Sequence, residues 1–101
     1  MADNIPPRER TRLYLITPPR IDDVAEFAAI LEGALEAGDV ASLQIRLKGA
    51  DGKIDVAATR EVTETVMAMA QAYGTAIIIN DSPELAVELG ADGVHVGPED
   101  M

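Results

Sequence analysis

The chain has 101 residues, with 8 Lys and Arg against 18 Asp and Glu, a formal net charge of −10, and 48% apolar residues. That is the profile of one globular domain, and it is too short for a closed eight-stranded α/β barrel, which takes about 200–250 residues. The absence of Cys excludes a disulfide framework, a thiolate metal site and a cysteine nucleophile, and a single His excludes a His-cluster zinc site. The acidity, with only Tyr14, Phe27 and Tyr73 as aromatics, argues against nucleic acid or an anionic membrane as partner.

Residues 1–12 are polar, carry two prolines and three arginines, and are expected to form a flexible tail. They contain no apolar leader, and no stretch of the chain approaches a membrane span, so a cytoplasmic protein is expected. Leu13–Thr17 is a short apolar run stopped by Pro18-Pro19, and it predicts a first strand. Over 21–37 apolar side chains recur at Val24, Phe27, Ala28, Leu31, Ala34 and Leu35, a helical spacing closed by Gly38. A second strand is predicted over 42–47. Asp55 is placed to cap a second helix whose inner face is Val62, Val66, Met69 and Tyr73, with Gly74 at its end.

Ala76–Ile79 predicts a third strand. Ser82, Pro83 and Glu84 then supply the cap, first-turn and dipole chemistry of a helix start, and Gly90 ends that helix. Gly93–Val96 predicts a fourth strand. Alternating strands and short helical crossovers imply a parallel sheet, either doubly wound or the first half of a (βα)8 barrel. The turn Thr17-Pro18-Pro19-Arg20 lacks the glycines of a dinucleotide-binding turn, and the chain has no P-loop.

Strand two carries the most informative pattern. In Leu43-Gln44-Ile45-Arg46-Leu47-Lys48 the polar residues alternate with apolar ones and share one face. Either this is an edge strand with a solvated face, or it lines a polar cavity and aims a guanidinium fork and an ammonium at an anion such as a diphosphate. Asn80-Asp81 at the end of strand three and Asp100 after strand four would lie where parallel α/β proteins bind ligands. Two carboxylates there suit Mg2+, although Asn-Asp before Ser-Pro equally reads as turn and cap chemistry. His95 faces opposite to Val94 and Val96, and reads either as a satisfied core group or as a base. The acidic Asp22, Asp23, Glu26, Glu32 and Glu36 read as the solvated face of helix one.

Taken together, Leu-Tyr-Leu-Ile-Thr-Pro from Leu13, Gln44-x-Arg46-x-Lys48, Ile-Asn80-Asp81 and Gly90-Ala-Asp-Gly93-Val-His95-Val-Gly97-x-Glu99-Asp100 resemble the thiamine phosphate synthase family. The resemblance runs across residues 13–100, with the motifs in the family's order. It implies an α/β fold of parallel (βα) units forming the first half of a TIM-type barrel over 13–101. It also implies the family's transferase reaction, in which a pyrimidine diphosphate and a thiazole phosphate give thiamine phosphate and diphosphate.

Carried over residue by residue, the resemblance gives Gln44, Arg46, Lys48 and Asn80 to the pyrimidine diphosphate, and Asp81 and Asp100 to Mg2+. Breaking the carbon–oxygen bond to diphosphate leaves a cationic pyrimidine methylene for the thiazole nitrogen to attack, so no nucleophilic side chain is required. Mg2+, Arg46 and Lys48 would stabilise charge on the leaving group.

Pro98 and Leu47 depart from the family's usual Gln and Glu, both between motif positions. The larger departure is length. The resemblance covers about half of a barrel of the usual size, without the later serine, lysine and glycine positions that complete phosphate binding. The chain is therefore expected to be a fragment, inactive alone and prone to self-association through the strand edges a half barrel exposes. A thiazole tautomerase-like paralogue and a non-catalytic half barrel acting by association are the competing readings.

Overall fold

The computed structural model describes residues 12–97. The elements run β1 (Leu13–Ile16), α1 (Val24–Ala37), β2 (Val40–Ile45), α2 (Val56–Ala72), β3 (Ala76–Asn80), α3 (Pro83–Leu89) and β4 (Gly93–His95). The four strands pair in parallel in the order β1-β2-β3-β4. A doubly wound sheet reverses its strand order at a switch point, whereas here each crossover steps one strand in the same direction. Right-handed crossovers then put every helix on one face. This is the strand order of a (βα)8 barrel, and it resolves the two architectures in favour of the barrel type.

Each helix starts where a side chain satisfies a free backbone N–H. The Asp23 carboxylate accepts from the Glu26 N–H, Asp55 from Ala58, and the Ser82 hydroxyl from Leu85. Helix α1 therefore starts at Val24, not at residue 21, because Asp23 is its cap. The core lies between the sheet and the helices. Leu43, Ile45 and Leu47 together with Ile77 and Ile79 meet Leu31 and Leu35 of α1, Val62, Val66 and Ala70 of α2, and Leu85 of α3. Residues of alternate parity on β2 and β3 face away from the helices.

Several expectations are corrected. The β2 ladder ends at Ile45, not at residue 47, because the Arg46 N–H bonds the Thr17 hydroxyl (2.9 Å) in place of a strand partner. The outward and inward alternation nevertheless continues, with Leu47 buried and Lys48 half-buried. Strand β2 is flanked by β1 and β3, which removes the edge-strand reading of its polar face.

The inner face of α2 is Thr59, Val62, Thr63, Val66 and Ala70. Met69 packs only partly against the core, and Tyr73, beyond the end of the helix, is 41% exposed with its hydroxyl on Glu36. Ala34 is exposed on α1. Arg12, assigned to the tail, is held by Asp39, with Nε and Nη2 donating to one carboxylate oxygen at 3.0 and 2.9 Å. Residues 1–11, the remainder of that tail, lie outside the described residues, as does Asp100.

The turn into β4 is fixed by Asp92. Its N–H donates to the Ile77 carbonyl (2.8 Å). Its carboxylate accepts from the Ile77 N–H (2.7 Å) and the Gln71 amide (3.1 Å). These bonds favour the ionised form and hold the Asp92 carboxyl below the usual carboxylate range.

Candidate functional site

The C-terminal ends of the strands frame an open cavity of about 320 Å3, lined by Ile16, Gln44, Arg46, Lys48, Asn80, Asp81, His95 and Gly97. Five of the six residues expected at the site therefore come together, and the sixth, Asp100, lies outside the described residues. The register explains the convergence. Gln44 pairs with Ile16 on β1 and with Ile78 on β3, and Asn80 pairs with His95 on β4. In a parallel ladder, paired residues point to the same face. That face is the one the helices leave open.

Lys48 and Asp81 meet directly. The Lys48 ammonium donates to the Asp81 carboxylate at 2.6 Å, with the two side chains 19% and 22% exposed. Lys48 is held from behind as well. Its backbone N–H bonds the Pro19 carbonyl (3.0 Å), and an antiparallel bridge to Ile54 folds the following loop back along it. Asp81 has φ +68, the left-handed region, and its N–H donates to the His95 carbonyl (2.8 Å). A non-glycine residue there is strained by roughly 1 kcal/mol or more. The strained turn aims a carboxylate across the end of β3 toward β2.

Asn80 is buried, 3% exposed, yet reaches the cavity wall. Arg46 is exposed, and no side chain among the described residues bonds its guanidinium. Its backbone is fixed instead. Thr17, 5% exposed, accepts from the Arg46 N–H (2.9 Å) and donates its hydroxyl to the Arg46 carbonyl (3.2 Å). Sequence reasoning gave Thr17 no role at the site, although it stood at the end of strand one and inside the Leu-Tyr-Leu-Ile-Thr-Pro motif. His95 is exposed in the cavity and is no core group.

Chemically, the cavity offers a fixed ammonium, an exposed guanidinium fork, two amide side chains and a carboxylate. Fork and point charge together suit a multiply charged phosphate group. The hard oxygen donors of Asp81 and Asn80 suit a cation such as Mg2+, which takes one or two carboxylates and leaves its other positions to water and phosphate. Among the described residues no three acidic or His side chains cluster as a metal site.

Residues 13–101 match the family model for thiamine monophosphate synthase. The chain is 62% identical over its whole length to a thiamine-phosphate synthase of Hyphomonas neptunium, and covers 46% of that protein. It is 54% identical to one of Rhodospirillum centenum over 88% of the chain and 41% of the relative. In structure it resembles a thiamine phosphate pyrophosphorylase from Pyrococcus furiosus, with a TM-score of 0.67 and 31% identity over 89% of this chain and 41% of the other. The chain thus spans less than half the length of the relatives it matches.

Proposed function

The chain belongs to the thiamine monophosphate synthase family, and on that premise we propose that it supplies the diphosphate- and metal-binding half of a thiamine phosphate synthase site. The reaction is the transfer of a pyrimidine methylene group from diphosphate to the nitrogen of a thiazole phosphate. The observation that carries this reading is the convergence of Gln44, Arg46, Lys48, Asn80 and Asp81 on one cavity.

In this reading Arg46 grips two diphosphate oxygens with its fork, and Lys48 supplies a point charge to a third. Gln44 and Asn80 orient the substrate by hydrogen bonds. Both cations lie where charge builds on the leaving group as the carbon–oxygen bond breaks, so they favour the transition state over the ground state. Asp81, and Asp100 beyond the described residues, would hold Mg2+, which when bound supplies further positive charge to the diphosphate oxygens. No residue of the cavity is needed as a nucleophile.

The edges of β1 and β4 have no neighbouring strand among the described residues. They support pairing with further strands of a barrel or with a second copy of the chain. Among the described residues no helix is long and apolar enough to cross a membrane. The small, water-soluble substrates of the proposed reaction suit a cytoplasmic location.

The test is a coupling assay with pyrimidine diphosphate, thiazole phosphate and Mg2+. It is run on the chain alone and on the chain extended by the C-terminal portion of its Hyphomonas neptunium relative. The extended chain is expected to form thiamine phosphate and to lose that activity with Arg46→Ala. A folded extended chain without turnover would overturn the proposal.

A further inference from the structure

In a regular parallel ladder the β1–β2 pairing would continue with the Arg46 N–H donating to the backbone carbonyl of Thr17. The pattern is intact on both sides of that point. The Thr17 N–H donates to the Gln44 carbonyl (3.0 Å), and the Lys48 N–H donates to the Pro19 carbonyl (3.0 Å). At Arg46 itself the hydroxyl of Thr17 takes the carbonyl's place, accepting from the N–H and donating to the C=O of the same residue.

Pro18 and Pro19 account for the substitution. A residue before proline is confined to extended conformations, and proline has no N–H to continue a ladder. The backbone ladder is interrupted at this one position, and a short hydroxyl side chain completes it. Thr17 itself is buried, whereas the Arg46 side chain it anchors is exposed.

We propose that Thr17 is the positioning residue for Arg46: its buried hydroxyl clamps both backbone polar groups of Arg46 and thereby fixes where the guanidinium fork meets diphosphate. This rests on Arg46 being a diphosphate ligand. A long, exposed arginine loses rotamer freedom on binding, and a fixed base for its side chain reduces what else must be ordered. Serine would preserve the clamp, because it has the same donor and acceptor. Valine would not, although it has nearly the same shape.

The experiment is calorimetric titration of inorganic diphosphate with Mg2+ into the chain and four variants. Thr17→Val is expected to weaken binding roughly tenfold, the scale of a charge-assisted fork that is misplaced and not removed. Thr17→Ser is expected to restore it. Thr75→Val serves as the stability control. Thr75 is also buried, and its hydroxyl donates to the Val40 carbonyl (2.9 Å) at the opposite end of β2. It should lose stability like Thr17→Val yet bind diphosphate as the parent does.

Arg46→Ala separates the two claims. If Arg46→Ala weakens binding and Thr17→Val does not, or if Thr75→Val weakens it as much as Thr17→Val, the positioning role is overturned and the diphosphate site stands. If Arg46→Ala leaves binding unchanged, the site assignment falls, and the role of Thr17 falls with it.

Discussion

Replacing Lys48 by Met should tighten Mg2+ binding in the absence of diphosphate, although it removes a residue of the site. The Lys48 ammonium lies 2.6 Å from the Asp81 oxygen proposed to hold the metal, so the two cations compete for one carboxylate. Two unit charges about 4 Å apart interact with about 1 kcal/mol in bulk water and about 4 kcal/mol near a protein surface. The side chains of the pair are only 19% and 22% exposed, but the lysine stem can swing out into water as a metal enters, so the water-screened value is taken as the lower bound. Doubled for a divalent ion it is about 2 kcal/mol, a gain of roughly thirtyfold in affinity. Calorimetric titration of Mg2+ into the chain and Lys48→Met measures it directly. With diphosphate present the advantage should shrink or reverse, because the ammonium then has a phosphate to pair with. Unchanged or weaker Mg2+ binding by Lys48→Met without diphosphate would refute the reasoning.

Other consequences are as specific. Arg46→Lys should weaken diphosphate binding in a direct titration, because a point charge cannot reproduce a two-pronged contact. Asp81→Gly and Asp81→Ala should both lose Mg2+ affinity. In urea unfolding, however, the glycine variant should be the more stable by about 1 kcal/mol, because φ is +68 at this position. Ile79→Ala should lower stability by about 3 kcal/mol, since Ile79 is fully buried in the core. Asp92 sets a pH dependence. Its carboxyl is held low in the folded chain by the Ile77 N–H and Gln71, so its stabilising effect is full above the unfolded carboxyl's range and fades as pH falls through the lower folded value. Urea midpoints of the parent and Asp92→Asn should therefore differ near neutral pH and converge in strong acid.

What the sequence disclosed, it disclosed through local chemistry. The caps Asp55 and Ser82 and the stops Gly74 and Gly90 act within a few residues of themselves, and the helix limits follow from them. The alternation around Gln44, Arg46 and Lys48 survived although the ladder ends at Ile45, because the face a side chain takes depends on backbone pleating and not on a strand partner. The inner face of α2 was read less well. Thr59 and Thr63 pack inward beside Val62 and Val66, and an apolar-only reading gave their place to Met69 and Tyr73. The contacts that define the site were not visible at all. Lys48 and Asp81 are 33 residues apart, and Thr17 and Arg46 are 29 apart. Both pairs follow from which strands are neighbours, and spacing along the chain does not encode that. The strained backbone at Asp81 likewise arises from the turn between β3 and α3.

The chain's single histidine offers a probe of the proposed diphosphate site at the C-terminal end of the open face. His95 lies in the cavity, so its imidazole resonances report on this site alone. Nuclear magnetic resonance spectra recorded during titration with diphosphate, with and without Mg2+, should show shifts at the His95 ring and at the backbone amides of Gln44, Arg46, Lys48, Asn80 and Asp81, larger with the metal present. Shifts confined to other cationic positions such as Arg12, Lys53 or Arg60, or no shifts at all, would mean that the open face does not bind diphosphate.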